Sequence, residues 1–181
     1  MQFRSRVLIH PGLNNSGPQH WQSLWEKKYP DFKRVQQKEW DSPLCSEWIK
    51  SIDQEAMKER PSEVIVVGHS LACCAIAYWA GQYNRKIKGA LLVAPSDTEA
   101  ETYPEGTTGF KPMPLDRLPF PSIVVASVND YYVTRERAKL FADAWGSDLV
   151  YIGDAGHINS DSNLGLWEFG LKLLNQLDSN P

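Results

Sequence analysis

The sequence predicts an α/β fold in which a mostly parallel sheet is covered by helices on both faces. Short apolar segments alternate with segments of helical periodicity along the whole 181-residue chain, which indicates repeated strand–helix–strand units. The strongest strand signal is 64–67, where consecutive β-branched residues are typical of a strand buried on both faces. No repeat, low-complexity tract or linker interrupts this pattern, so residues 1–181 are expected to form a single domain with three layers.

Each predicted strand is a short apolar run bounded by glycine, proline or polar residues. The run at 32–36 is more polar than the others, so we expect it at an edge of the sheet, where one side of a strand faces solvent. The predicted strands are, in chain order, 7–10, 32–36, 64–68, 90–94, 122–127 and 149–152.

Each predicted helix has apolar residues spaced three or four apart. Pro18 is placed in the first turn of the first helix, where its missing N–H is not needed, and Thr134 is expected to cap the fourth. The proline-rich stretch 98–121 is too long for a simple connection, and we expect it to help shape the site. The predicted helices are 18–29, 46–58, 71–83, 135–145 and 164–177.

Composition and charge argue against several classes of partner. The chain has 19 Lys and Arg against 22 Asp and Glu, and its basic residues are scattered, so neither nucleic acid nor an anionic membrane is expected to bind. No apolar run approaches membrane-spanning length, and the polar residues 1–6 lead into a strand rather than into a signal sequence. We therefore expect a cytoplasmic protein.

The three cysteines, Cys45, Cys73 and Cys74, have no metal-ligand spacing with a histidine. Their odd number and lack of a paired framework suit a reducing compartment. No metal ion and no organic cofactor is predicted.

Side chains that could take part in catalysis follow three of the predicted strands. Ser70 follows the third strand, Asp130 the fifth and His157 the sixth. Reactive groups gather beyond the carboxyl ends of strands in open parallel sheets. A serine hydroxyl needs an adjacent base to act as a nucleophile, and a histidine base needs a carboxylate to hold its tautomer. The order Ser, Asp, His is that of the α/β-hydrolase triad, so we predict Ser70 as nucleophile, His157 as base and Asp130 as the acid that orients the base.

The residues around Ser70 predict a sharp strand-to-helix turn. Gly68 and Ala72 flank the serine in the pattern G-x-S-x-A, which differs from the usual G-x-S-x-G by one methyl group. A turn of this kind lets backbone N–H groups stabilise an oxyanion. We expect these donors to be Leu71 N–H and a group from the loop after the first strand, for which Leu13 is preferred and Asn14 stays open.

Other carboxylates and side chains compete for these roles. Asp97 also follows a strand and is an alternative partner for His157, whereas Asp154 and Asp161 are expected to be too close along the chain to reach behind its ring. A separate alternative is a capping role for Asp130, the commoner fate of an aspartate before a helix.

Several histidines and cysteines lie near the predicted site. His10 and His20 flank the first loop, where a structural role is favoured over pocket lining, and His69 is expected to pack beside the nucleophile. Cys73 and Cys74 lie one turn along the helix from the serine; a cysteine nucleophile is conceivable, but small core residues are the commoner outcome.

Segments spread over nearly the whole chain share a pattern with one family. They are 67–73 (VGHSLAC), 77–80 (AYWA), 89–95, 118–121 (LPFP), 125–130, 145–146 and 155–159 (AGHIN). This pattern resembles the small serine hydrolases related to retinoblastoma-binding protein nine. The resemblance implies a compact α/β-hydrolase without a large lid, with strand order 2-1-3-4-5-6, and it assigns the triad to Ser70, Asp130 and His157.

The chain departs from that family at two places. Members commonly have glycine at the position of Ala72. The Leu-x-Cys-x-Glu motif behind the family's name is absent, because 44–47 (LCSE) has a different spacing. No retinoblastoma partner is therefore expected.

The leading functional hypothesis is hydrolysis of small acyl esters by a monomeric serine hydrolase. Amide or thioester cleavage would use the same three residues. A hydrolase-fold protein that binds a partner and leaves its triad idle is the alternative from another class.

Overall fold

The computed structural model describes residues 2–180, and its secondary structure confirms the predicted alternation of strands and helices. The strands are β1 (Arg6–His10), β2 (Phe32–Arg34), β3 (Val64–His69), β4 (Gly89–Val93), β5 (Ser122–Ala126) and β6 (Asp148–Tyr151). The α-helices are α1 (Trp21–Lys28), α2 (Cys45–Ala56), α3 (Leu71–Tyr83), α4 (Arg135–Trp145) and α5 (Glu168–Ser179).

The strands form one sheet in the order β2-β1-β3-β4-β5-β6, and every neighbouring pair is parallel. This is the predicted strand order, and the sheet is wholly rather than mostly parallel. The polar strand β2 lies at an edge, as expected, and β3 lies between β1 and β4. The carboxyl ends of β3, β4 and β5 therefore lie side by side, so the loops that follow them can meet.

Successive side chains of the central strands point to opposite faces of the sheet and pack in two separate apolar cores. In β3, Val64 and Val66 pack in the core under α2, α3 and α4, whereas Ile65 and Val67 pack in the core under α1 and α5. All four residues are fully buried, which accounts for the unbroken β-branched run in the sequence. The fold is thus the predicted three-layer α/β/α arrangement.

The predicted start of α1 was wrong. Pro18 lies outside the helix, because His20 N–H closes a turn onto the Gly17 carbonyl (3.0 Å) and the first helical residue is Trp21. His20 is the N-cap, and its Nδ1 accepts a hydrogen bond from Gln22 N–H at 3.2 Å. The Thr134 cap of α4 is confirmed, since its Oγ1 accepts from Arg137 N–H at 3.2 Å.

The last helix begins four residues later than predicted. Trp167 has φ +40°, a left-handed conformation that separates α5 from the turn at 164–167. Its indole ring packs so tightly on Gly170 that a Cβ there would lie 2.2 Å from Cε3. Two short 3₁₀ helices, Pro61–Glu63 and Ser160–Ser162, were not predicted.

Candidate active site

Ser70 occupies the sharp turn between β3 and α3. Its backbone has φ +58° and ψ −126°, a conformation that residues with a side chain rarely adopt. The turn is held by a hydrogen bond from Ser70 N–H to the carbonyl of Val93, at the end of β4 (2.9 Å). This geometry projects the hydroxyl away from the sheet edge, as a nucleophile elbow does.

Small residues allow α3 to approach β3 behind the elbow. A Cβ at Gly68 would lie 2.6 Å from Ile76 Cδ1 and 3.4 Å from the carbonyl carbon of Ala72. Ala72 itself is buried in the core under α3, so its methyl group is accommodated. The elbow therefore forms with alanine in place of the usual glycine.

Gly12 is a second close contact of the elbow, and sequence reasoning missed it. A Cβ at Gly12 would lie 2.7 Å from Ser70 Cβ and 2.9 Å from the His69 carbonyl oxygen. The loop after β1 thus lies directly against Ser70. The available signal was the Pro-Gly pair that ends the first strand, in a family of folds where this loop faces the elbow.

The structure brings Ser70, His157 and Asp130 into one hydrogen-bonded chain. His157 Nε2 lies 2.8 Å from Ser70 Oγ, and His157 Nδ1 lies 2.9 Å from both carboxylate oxygens of Asp130. The Asp130 carboxylate can only accept, so Nδ1 carries a proton; when the ring has that proton alone, as a general base requires, Nε2 accepts from the Ser70 hydroxyl. The side chain of Asp130 is fully buried, and Tyr132 N–H also donates to it at 2.8 Å.

Two polar residues after β5 hold the loop that carries His157. Asn129 Oδ1 accepts from Gly156 N–H at 2.7 Å, and Ser127 Oγ accepts from Ala155 N–H at 3.0 Å. These bonds tie the segment next to Asp130 to the segment next to His157. Sequence reasoning did not single out either residue, because the contacts join loops far apart along the chain.

The other carboxylates considered as partners of His157 do not contact its ring. Asp97 forms a two-pronged ion pair with Arg137, with Nε at 2.7 Å and Nη2 at 2.9 Å from its two oxygens. Asp154 and Asp161 are exposed, and neither bonds His157 within residues 2–180. Asp130 is thus the carboxylate at the histidine ring.

Ser96 is a further neighbour of the nucleophile that sequence reasoning missed. Its Oγ lies 2.7 Å from Ser70 Oγ, and the residue is 1% exposed. It follows β4 by three positions, directly before the Asp97 that was considered. The signal was therefore present in the rule that functional groups follow the strands.

The backbone N–H groups near Ser70 separate the two candidates for the second oxyanion donor. Asn14 N–H is already bonded to the Trp40 carbonyl at 2.9 Å. Leu13 N–H has no acceptor within residues 2–180, and Leu71 N–H opens α3, where helical N–H groups lack intrahelical partners. The geometry supports Leu71 and Leu13 and argues against Asn14.

The histidines around the elbow have structural contacts. His69 Nε2 donates to the His157 carbonyl at 2.9 Å, so this residue braces the base rather than replacing it. Burial, reinforced by the nearby His20 and His157, lowers the pKa of His69 well below its usual value. Burial, followed by the positive charge of Arg34, lowers the pKa of His20 to about 3.

His10 is buried and is not among the residues that line the cavity over Ser70. Neither ring nitrogen has a hydrogen-bond partner among the described residues. Burial lowers the pKa of His10 to about 3, although the Glu55 carboxylate acts in the opposite direction. His10 is therefore neutral in the folded protein at physiological pH.

The cysteines are buried core residues. Burial raises the pKa of the Cys45 thiol to about 12, and it also raises the pKa values of Cys73 and Cys74. Because the thiolate is the nucleophilic form, none of the three is activated. Cys73 Sγ donates to the Val93 carbonyl at 3.5 Å instead of facing the pocket.

A cavity of about 300 Å³ opens over Ser70 and His157. Its walls are mostly polar or aromatic, and the predicted contribution of 98–121 is confirmed by Tyr103 and Pro104. The lining residues are Leu13, Asn14, Asn15, Gly17, His20, His69, Ser70, Ser96, Tyr103, Pro104, Tyr131, Tyr132, His157, Asn159 and Ser160.

Residues 2–180 contain neither a cluster of metal ligands nor a membrane-spanning helix. No three His, Cys, Asp or Glu side chains there are grouped so that they could hold a metal ion. None of the helices in that range is both long enough and apolar enough to cross a membrane.

Comparison with known proteins places the chain in a family. The serine hydrolase family profile matches residues 7–176. A YdeN-like hydrolase from Pectobacterium atrosepticum is 34% identical, with 97% of this chain and 91% of that chain covered and a TM-score of 0.83. No curated protein sequence matched the chain.

More distant solved structures share the fold. The ydeN gene product of Bacillus subtilis is 17% identical, with 97% of this chain and 100% of that chain covered and a TM-score of 0.80. An esterase domain from Rhodothermus marinus is 13% identical, with 98% of this chain and 88% of that chain covered and a TM-score of 0.70. The family match over nearly all the chain and the relative at 34% identity lead to one conclusion: the chain belongs to the serine hydrolase family and has its small α/β-hydrolase fold.

Proposed function

We propose that this protein is a carboxylesterase that cleaves small acyl esters through a covalent intermediate on Ser70. The observation that carries the proposal is the unbroken hydrogen-bonded chain from Ser70 Oγ through the His157 ring to the buried Asp130 carboxylate. Histidine within reach of a serine, and itself oriented by a third group, is the signature of an activated nucleophile.

In the first half of the reaction, Ser70 Oγ attacks the ester carbonyl carbon while His157 Nε2 takes the hydroxyl proton. Asp130 stabilises the resulting imidazolium without accepting its proton. The tetrahedral oxyanion lies against the N–H groups of Leu71 and Leu13. Collapse breaks the bond to the alcohol, which takes the proton from His157 as it leaves.

In the second half, water attacks the acyl group on Ser70. His157 accepts a proton from this water, and the bond between the acyl carbon and Oγ then breaks. The proton returns from His157 to Ser70 Oγ, which restores the resting site. Ser70 and His157 carry out every proton transfer with the alcohol and water, so the proposed cycle needs no cofactor.

The size of the cavity favours short acyl groups. A volume of about 300 Å³ is at the lower end of the range for small-molecule sites. Esters are favoured over amides because their leaving groups depart more easily. A small pocket also provides little remote binding energy to distort a stable amide bond. The esterase domain with the same fold is consistent with this choice.

We also propose that the enzyme is a cytoplasmic monomer. Its free, buried thiols are compatible with a reducing compartment. A binding protein with an idle triad is less well supported, because His157 Nε2 lies 2.8 Å from Ser70 Oγ, within the distance that proton transfer between them requires.

The test is a series of p-nitrophenyl esters from acetate to dodecanoate, together with the matching anilide and thioester of the best acid. We expect short esters to be cleaved fastest and an acylated Ser70 peptide to be detected by mass spectrometry after acid quenching. Ser70→Ala is expected to lower kcat by about 10⁶.

The matched control is Ser51→Ala, which removes a hydroxyl whose only described partner is the Glu47 carbonyl within α2. It should keep the parent rate. Cleavage of the anilide or thioester with no ester turnover would replace the proposed activity by one of the alternatives.

A further inference from the structure

The hydroxyl of Ser96 contacts the reacting oxygen of the proposed triad. The distance from Ser96 Oγ to Ser70 Oγ is 2.7 Å, shorter than the 2.8 Å from His157 Nε2 to the same atom. Within residues 2–180, Ser96 Oγ has no other hydrogen-bond partner. A serine that is 1% exposed and has a single partner is positioned for that partner.

The protons available determine the direction of this bond. The Ser70 hydroxyl has one proton, and the unprotonated His157 Nε2 accepts it. Ser70 therefore has no proton left for Ser96. The Ser96 hydroxyl must donate, and Ser70 Oγ accepts through a lone pair.

The segment that carries Ser96 is fixed on both sides. Before it, Ala94 N–H donates to the Val125 carbonyl at 2.8 Å. After it, Asp97 N–H donates to the Tyr132 carbonyl at 2.9 Å, and the Asp97 carboxylate is held by Arg137. The Ser96 hydroxyl is thus presented to Ser70 by the backbone rather than by a mobile loop.

We propose, on the basis of the esterase function above, that Ser96 is a further catalytic residue that assists release of the acyl group from Ser70. When water has added to the acyl-enzyme, the carbon–Oγ bond breaks and its electron pair moves onto Oγ. The proton for this oxygen comes from His157 Nε2, and the Ser96 O–H donates a hydrogen bond to it as the charge develops. Ser96 keeps its own proton throughout.

The effect on the two half-reactions is unequal. During acylation Ser70 Oγ loses electron density, so a donor to this atom gives the transition state little benefit. During deacylation the same atom gains negative charge, and a hydrogen bond to a charged oxygen is stronger than one to a neutral oxygen. Ser96 is therefore expected to accelerate deacylation selectively.

The test is stopped-flow kinetics of Ser96→Ala with p-nitrophenyl acetate, which separates acylation from deacylation. We expect acylation and the rate of fluorophosphonate labelling to change by less than about threefold, while deacylation slows by about tenfold or more. Acyl-enzyme should then accumulate, with a larger burst of p-nitrophenol and a parallel fall in kcat and KM. Thermal melting checks that the variant is folded.

Two results would overturn the role of Ser96. One is a similar decrease in both half-reactions, which would mean that Ser96 only places Ser70. The other is no change in either. A parent protein that is not labelled at Ser70 would reject the esterase proposal itself, so the two failures can be told apart.

Discussion

Gly12 and Ser70 lie so close together that a Cβ at position 12 would be 2.7 Å from Ser70 Cβ. The loop after β1 and the elbow after β3 therefore form one packed unit. The same loop contains Leu13, whose N–H is the second proposed oxyanion donor. Any displacement of this loop changes the position of the nucleophile and of the donor at once.

Gly12→Ala is predicted to lower kcat/KM by about tenfold or more, because misplacement by even 1 Å is costly in a preorganised site. It should also destabilise the protein, since the nearest atoms belong to Ser70 and the backbone of His69 and cannot move freely. Steady-state kinetics and thermal melting measure the two effects.

The matched control is Gly81→Ala in α3. A Cβ at Gly81 has nothing within 4 Å, and alanine is the better helix former by about 1 kcal/mol. This variant should be active and slightly more stable than the parent. Equal kinetics for the two variants would show that the close approach to Ser70 has no catalytic importance.

Asp130→Asn and Asp97→Asn distinguish the two candidate acids. Asp130→Asn should lower kcat by about 10⁴, because the amide no longer selects the correct histidine tautomer. Asp97→Asn should lower kcat by less than about tenfold. Its main effect should be on stability, by roughly 1–3 kcal/mol, because Arg137 loses the two hydrogen bonds to the buried Asp97 carboxylate and keeps only its pairing with Glu99. A larger loss of kcat in Asp97→Asn would show that the acid was assigned to the wrong residue.

The buried histidines predict an acid-sensitive fold. Burial lowers the pKa values of His10 and His20 to about 3 in the folded protein, whereas an unfolded histidine titrates near 6.5. Below pH 6.5 the unfolded chain therefore binds protons that the folded chain does not, and stability falls as the pH decreases toward 3. Each such histidine contributes a slope of roughly 1 kcal/mol per pH unit.

His10→Leu should remove one of these contributions, because the buried ring has no polar partner among residues 2–180 to lose. Urea unfolding at pH 7, 6 and 5 measures the slope. The variant should be at least as stable as the parent at pH 7 and should lose less stability at pH 5. Identical slopes would mean that His10 does not remain neutral in the folded state.

The strands and the meeting of Ser70, Asp130 and His157 could be predicted because both follow from local patterns in the sequence. A buried parallel strand requires an unbroken apolar run, and the topology then brings whatever follows β3, β5 and β6 to one edge of the sheet. Three residues after three strands were therefore enough to predict Ser70, Asp130 and His157 together.

The features that were missed depend on contacts between separate loops. The bond between Ser96 and Ser70 exists because Ser70 N–H is tied to the end of β4. The support of the His157 loop by Asn129 arises in the same way. The starts of α1 and α5 were misjudged because each is set by local backbone geometry that the apolar spacing does not reveal: a turn from Gly17 to His20 precedes α1, and Trp167 with φ +40° precedes α5.

The most direct test of the account is the rate at which a fluorophosphonate labels the folded parent, Ser70→Ala and His157→Ala, with the modified peptide identified by mass spectrometry. The hydrogen-bonded chain predicts rapid labelling of Ser70 in the parent, none in Ser70→Ala, and labelling slowed by several orders of magnitude in His157→Ala. Labelling of Ser70 at an unchanged rate without the histidine, or no labelling of the parent, would contradict it.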